Sequence, residues 1–158
     1  MSAELPSKTP PRVLAVTINW NSHADTARLL SALRTCGDPA CEVAVVDNGS
    51  TDGSLDKLRA EFPEVRFLAL PANAGFGAAN NAALREALER QIPYVWLINN
   101  DALPDAGSLA ALVARLEADP RAGAAGAVVV DDDSAARIQA WGGRPHPAVA
   151  GLGAPPPR

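Results

Sequence analysis

Hydrophobic positions along this chain gather into short runs, and three of those runs end in a polar cluster. Val13 to Ile18 leads into Asn19-Trp20-Asn21. Val43 to Val46 leads into Asp47-Asn48-Gly49-Ser50-Thr51-Asp52, and Tyr94 to Ile98 leads into Asn99-Asn100-Asp101. Runs of this length and composition predict β-strands. Between them the apolar spacing becomes helical: Ala27, Leu29, Leu30 and Leu33 predict a helix over His23 to Cys36, closed by Gly37 and Pro39. Leu55 and Leu58 give a second helix, capped by Asp52 or Ser54 and ended by Pro63. Gly75 to Arg90 is an Ala-rich third helix with Leu84 and Leu88 one turn apart. Asp105 to Asp119 is a fourth, with Leu109, Leu112, Val113 and Leu116 on one face. Glu42 to Val46, Val65 to Leu70 and Ala125 to Val130 complete the strands, the last stopped by Asp131-Asp132-Asp133.

The alternation βαβαβαβαβ predicts an α/β fold: a Rossmann-like, mostly parallel sheet with helices on both faces. Ligands in such sheets bind beyond the carboxyl ends of the strands, where strand order reverses. The three polar clusters are therefore expected at one rim. Residues 1–12, with three prolines, read as a disordered lead. Residues 13–143 read as the domain, and 144–158 as a Pro-rich tail with no periodic pattern.

A net charge of −4 over 158 residues leaves no basic stripe to displace counterions, which excludes nucleic acid as the partner. No apolar run approaches the ~20 residues of a membrane span, and the N-terminus lacks a signal pattern. The cytoplasm is the expected compartment. Cys36 and Cys41 flank a helix-to-strand turn with no nearby histidine to complete a metal site, and are expected to be small buried thiols.

The clusters suggest chemistry, each with a plain structural alternative. Asp101, flanked by amides past a buried strand, suits a divalent cation that keeps most of its waters and shares a substrate's phosphates. It would equally serve to end a strand and start a turn toward Pro104. Asp47 can accept a hydrogen bond from a nucleobase or ribose, or form an Asx turn into a helix cap. Gly75-Phe76-Gly77 at a helix start permits close backbone approach, and Asn80 and Asn81 are poor helix formers at that place. Asn80 stands where a dinucleotide fingerprint needs its third glycine, which counts against a nicotinamide enzyme. Trp20 could pack against a base, although core is the commoner place for a lone tryptophan.

Taken in order, strand-Asn-Trp-Asn, Val-Val-Asp47-Asn-Gly-Ser-Thr-Asp-Gly-Ser54, Asn73-Ala-Gly-Phe-Gly-Ala-Ala-Asn80-Asn81 and Trp-Leu-Ile-Asn99-Asn-Asp101-Ala-Leu-Pro104 closely resemble the family 2 glycosyltransferases, nearest the rhamnosyltransferase-like branch. The match runs from about Val13 to Asp133. The resemblance implies a GT-A fold and inverting transfer of a sugar from a nucleoside diphosphate sugar, UDP- or dTDP-linked, to a glycan or lipid-linked acceptor. That activity belongs to cell-surface polysaccharide synthesis. It implies that Thr17, Asn19, Asn21 and Asp47 hold the nucleoside, with Asn48, Asn73 and Gly75 in the same nucleotide-sugar site. Asn80 and Asn81 would line the donor pocket near the ribose or sugar. Asn99 and Asp101 occupy the outer positions of the family's Asp-x-Asp motif, with Asp101 on a Mg2+ or Mn2+ ion and Asn99 in place of the first acid.

The family also takes the acceptor's proton with a downstream carboxylate, yet no Asp or Glu follows Asp133. The expectation is the donor-binding part of an enzyme, with the C-terminal part of the domain missing. The alternative is a non-catalytic nucleotide-sugar-binding fragment or pseudoenzyme. Self-association or a complementing chain is open, as is peripheral attachment to the inner face of the membrane. A nucleotidyltransferase is disfavoured, because Asn-Trp-Asn-Ser stands where a basic triphosphate loop would follow the first strand.

Overall fold

The computed structural model describes residues 12–36, 41–131 and 134–141, which divide after Asp105 into two units. The first unit runs β1 (Val13–Asn19), α1 (His23–Cys36), β2 (Cys41–Asp47), α2 (Ser54–Glu61), β3 (Arg66–Ala69), α3 (Phe76–Glu89) and β4 (Tyr94–Leu97). Its sheet has the order β3-β2-β1-β4, and every pairing is parallel. The chain winds outward from β1 through β2 to β3, then returns to place β4 on the other side of β1. The carboxyl end of β1 is thus the point where strand order reverses.

The central strand β1 and the second half of β2 are buried on both faces, which is why they read as near-continuous apolar runs. On one face Leu14 and Val16 of β1 and Ala44 and Val46 of β2 pack against Ala79, Ala83 and Ala87 of α3. Those alanines recur every four residues, so one smooth stripe lets the helix lie close to the sheet. Leu88 of the same helix is exposed. On the other face Val45 packs with Leu30 of α1 and with Leu58 and Phe62, from α2 and its C-terminal end.

Helix α2 starts from Gly53, which is left-handed (φ 77°), rather than from Asp52 or Ser54. Asp52 still serves the helix end, because its Oδ1 accepts the Ser54 N–H at 2.9 Å. Bonds from the Ser54 hydroxyl and amide hold the Asp52 carboxyl below its ordinary pKa. At the opposite end of the sheet, Arg90 donates to Glu42 of β2 at 2.8 Å and to Glu86 of α3 at 3.0 Å.

The second unit contains α4 (Ser108–Ala118), β5 (Val128–Asp131) and β6 (Ser134–Trp141). Here the sequence reading needs correction. The run Ala125 to Val130 is not a fifth parallel strand; β5 pairs antiparallel with β6, with irregular register around Val130. Only residues 132 and 133 separate the two strands, and a parallel pairing needs a crossover of a dozen residues or more. Helix α4 begins at Ser108, after the left-handed Gly107, and not at Asp105. Cys36 is exposed rather than buried, and neither cysteine is in a disulfide. The lead before Arg12, the Pro-rich tail and Asp132-Asp133 lie outside the described residues.

Two expected outcomes follow from these contacts. Gly49 (φ 74°) leaves so little room that a Cβ there would sit 2.5 Å from the Ala72 carbonyl carbon. Gly49→Ala should therefore cost about 2–4 kcal/mol in urea unfolding, from left-handed strain and a backbone clash together. A variant as stable as the parent would contradict that packing. Arg90 holds the Glu42 carboxyl below its ordinary pKa, chiefly through their hydrogen bond. A depressed carboxylate adds stability that is full above its unfolded pKa and fades as pH falls through the folded one. Glu42→Gln should cost no more than about 1 kcal/mol at pH 7, since the pair is partly solvated, and the cost should vanish once pH falls below the depressed folded pKa. A stability gap that persists in acid would show that the ion pair is not its source.

Candidate functional site

The register of the parallel ladder places Asn19, the last residue of β1, beside Asp47, the last residue of β2. Both are buried, Asn19 completely and Asp47 to within 2%. Asn19 Nδ2 donates to Asp47 Oδ1 at 2.8 Å, Ser54 Oγ at 2.9 Å and Ser50 Oγ at 3.1 Å, so two hydrogens are shared among three acceptors. Its Oδ1 accepts the Thr26 hydroxyl of α1 at 2.9 Å. The second Asp47 oxygen accepts the Ser50 N–H at 3.0 Å. One amide therefore ties β1 to β2, α1, the β2–α2 loop and the first residue of α2.

Asn21 secures the same loop from outside. It takes a left-handed conformation (φ 52°), one that asparagine tolerates better than most residues. Its Oδ1 accepts the Thr51 N–H at 2.8 Å, and its own N–H donates to Ser50 Oγ at 3.0 Å. Asn48 then joins this loop to the one before α3: its Nδ2 donates to Asn73 Oδ1 at 3.0 Å, and its Oδ1 accepts the Ala74 N–H at 2.9 Å. Asn73 Oδ1 also accepts the Gly75 N–H at 2.9 Å, closing an Asx turn into the helix.

Beside these loops lies an open cleft of about 440 Å³, lined by Ile18, Trp20, Ser22, Asn48, Asn73, Phe76, Asn99, Asn100 and Asp101. Its position matches the switch point, because β1, the β2 and β3 loops and the end of β4 all contribute to it. After β4 the chain makes one last ladder bond, from Ile98 N–H to Val16 O at 3.0 Å. It then turns, with Ala102 N–H on Asn99 O at 3.1 Å. That turn presents Asn99, Asn100 and Asp101 to the cleft. Trp20 and Phe76, 55% and 63% exposed, give it two aromatic surfaces. Trp20 is thus a rim residue and not part of the core.

The sequence-predicted residues separate into two groups. Asn48, Asn73, Asn99 and Asp101 line the cleft. Thr17, Asn19, Asn21, Asp47, Gly75, Asn80 and Asn81 occur near the same rim or on α3 but are not among its lining residues. Asn80 is buried in α3 and donates back to Phe76 O at 3.0 Å; Asn81 is exposed. The Thr17 hydroxyl is buried and without a hydrogen-bond partner among the described residues. Phe76 and Asn100 were not singled out from sequence. The signal for Phe76 was a large aromatic held between two glycines at a helix start.

The charge of the cleft is simple. Asp101 is the one ionised side chain among its lining residues, and no Lys, Arg or His accompanies it. Asp101 is exposed, and no hydrogen bond or ion pair from another described residue engages its carboxylate. No group of three His, Cys, Asp or Glu side chains converges among the described residues. A cation here would have one protein carboxylate, neutral amides and its own waters, the donor set magnesium commonly accepts when phosphates complete its shell.

Fold and cleft together define an α/β domain with an open cleft at the switch point of a parallel sheet. The family model for glycosyl transferase family 2 matches residues 15–142, and the chain belongs to that family. It is 35% identical over 129 residues to the N-acetylglucosaminyl-diphospho-decaprenol L-rhamnosyltransferase of Mycobacterium tuberculosis, a match covering 77% of this chain and 41% of that protein. Among solved structures it resembles the mannosyltransferase PcManGT from Pyrobaculum calidifontis in complex with GDP-Man and Mn2+. The TM-score is 0.55 at 28% identity, over 71% of this chain and 34% of that one. TarS 1-349 of S. aureus in complex with UDP-GlcNAc shares the fold, with TM-score 0.59 at 24% identity, over 67% and 31%. The sheet is thus of the GT-A type. The chain spans about two fifths of its curated relative and about a third of these structures.

The buried amide gives a direct test. Asn19→Leu keeps the volume but removes the partner of a buried carboxylate and of three hydroxyls. It should cost about 3 kcal/mol or more in chemical denaturation. A loss below about 1 kcal/mol would mean that the hub contributes little.

Proposed function

We propose that the first unit binds a nucleoside diphosphate sugar together with a divalent cation, as the donor-binding part of an inverting glycosyltransferase. The observation that carries this reading is the charge of the cleft. A diphosphate brings at least two negative charges, and the only charged lining residue is a carboxylate of the same sign. Bound directly, the two would repel, with no compensating cation among the described lining residues. A divalent cation between them reverses the sign of both contacts, which is the role Asp101 is suited to. Mg2+ and Mn2+ both fit a site of one carboxylate and several waters, and the mannosyltransferase relative is a complex with Mn2+.

The remaining lining residues then divide by chemistry. Trp20 offers a flat apolar face for the base. Asn48, Asn73 and Asn99 offer amide donors and acceptors for ribose and sugar hydroxyls. Asn19, Asn21 and Asp47 act one layer further back, fixing the loops that carry the contacts; Thr17 is assigned to the same layer, and Gly75 and Asn80 shape the start of α3. Asn81 is assigned to the edge of the donor pocket. In the transfer an acceptor hydroxyl attacks the anomeric carbon, the bond to the diphosphate oxygen breaks, and the acceptor proton passes to a base. The bound cation would stabilise the charge that builds on the leaving diphosphate.

Asp101 cannot hold the cation and also serve as that base, so proton removal falls to a group outside this cleft. A glycan or lipid-linked acceptor is the best match to the relative, whose name specifies a diphospho-decaprenol carrier. No helix among the described residues is long and apolar enough to cross a membrane. Peripheral attachment at the inner membrane face is part of the proposal. The second reading, a binding piece without turnover, is separated from the first by assaying sugar transfer beside donor binding.

The test is calorimetric titration of UDP and dTDP, with their sugar conjugates, with and without MnCl2. Manganese should tighten binding, and Asp101→Ala should abolish most of that gain, about tenfold or more, since loss of a direct ligand costs no less than loss of its support. Affinity indifferent to both EDTA and the substitution would remove Asp101 from the site.

A further inference from the structure

Thr26 lies on α1, away from the cleft wall, yet it touches both parts of the proposed site. Its side chain is fully buried. Its Oγ1 donates to Asn19 Oδ1 at 2.9 Å and accepts from Asn100 Nδ2 at 3.1 Å. A hydroxyl has one hydrogen to give and lone pairs to receive, so these two bonds fill complementary roles. Asn19 continues the chain to Asp47 at 2.8 Å. A continuous line of hydrogen bonds therefore runs from the turn that carries Asp101, through Thr26 and Asn19, to the carboxylate at the head of the β2–α2 loop.

We infer that Thr26 is a positioning residue that sets the cation-bearing turn at a fixed distance from the loop beneath the nucleoside. The reason lies in the topology. The turn after β4 and the loop after β2 lie on opposite sides of β1 and are not neighbours in the ladder. Asn100 belongs to the short turn closed by Ala102 N–H on Asn99 O, so holding Asn100 holds its neighbours Asn99 and Asp101. A diphosphate nucleotide bridges the two sites, and its fixed length rewards a fixed spacing. Serine would preserve the relay, because only the hydroxyl enters it. Valine matches threonine in shape but can neither donate nor accept.

This inference rests on the assignment of Asp101 to the cation, and the experiment separates the two. UDP binding by the full 158-residue chain is measured by calorimetry with and without MnCl2, for the parent, Thr26→Val, Thr26→Ser and Asn100→Ala. In the parent, manganese should tighten binding. In Thr26→Val the manganese gain should fall by about threefold or more, while manganese-free affinity changes by less than about twofold, because Asn19 keeps its bonds to Asp47, Ser50 and Ser54. Thr26→Ser should restore the gain. The double variant Thr26→Val/Asn100→Ala should lose no more of it than the worse single variant, since both cut one link. A merely structural role would lower the unfolding midpoint and both affinities together, leaving the manganese gain intact.

Full manganese gain in folded Thr26→Val overturns the relay alone, as do losses that multiply in the double variant. A parent protein indifferent to manganese overturns the reading of Asp101 and the relay with it. If Thr26→Val does not fold, Thr26→Ala leaves space for a water and is judged by the same criterion.

Discussion

A single buried amide holds the carboxyl end of this sheet together. Asn19 sits where β1 stops, and its bonds to Asp47, Ser50, Ser54 and Thr26 determine how the chain leaves β1, β2 and the helices beside them. An unpaired buried amide or carboxylate is costly, so losing Asn19, which removes all of these bonds at once, is far more damaging than losing any one of its partners. The loops around the cleft, normally the least determined part of an α/β domain, inherit the rigidity of the strands. Gly49 tightens the same region from another side, because its backbone approaches Ala72 closely enough to exclude a side chain.

Much of this was legible from the order of apolar and polar residues. Helix α1 begins and ends where the spacing of Ala27, Leu29, Leu30 and Leu33 places it, and the polar clusters do follow β1, β2 and β4 at one rim. What the sequence could not supply was the direction in which each polar residue faces. In a sheet buried on both sides, the usual alternation of apolar and polar positions is absent. Asn19 and Trp20, adjacent in the chain, give no sign that one is enclosed and the other exposed. The register between β1 and β2 decides it, because Asn19 lies beside Asp47 and each satisfies the other. Register depends on the packing of distant segments and not on local composition.

The error in the second unit has a different origin. Val128 to Val130 is a strong strand signal, and its composition fits a further parallel strand as well as a hairpin strand. Its partner β6 carries alanines, Arg137 and Gln139, with no apolar run to announce it. The decisive clue was a distance along the chain: two residues between β5 and β6 permit a hairpin and exclude a crossover.

On the proposed function, the division between the buried polar residues and those facing the cleft also bears on Asn99, which stands where the resemblance places the first acid of a metal motif. If two carboxylates faced the cleft, the empty site would carry two like charges with no basic residue to offset them. With Asn99 it carries one. A site of lower charge holds a free cation more weakly but loses little toward a cation already bound to diphosphate, since the phosphates supply the missing negative charge. On the proposed function, binding of metal and nucleotide would then be strongly coupled, and the strength of that coupling would depend on the spacing between Asp101 and the nucleoside loop. Spacing is what the chain of bonds through Thr26 fixes. The fold's stability and its affinity for a metal-bound nucleotide would thus rest on the same buried polar core, with Asp101 the one charged group lining the cleft.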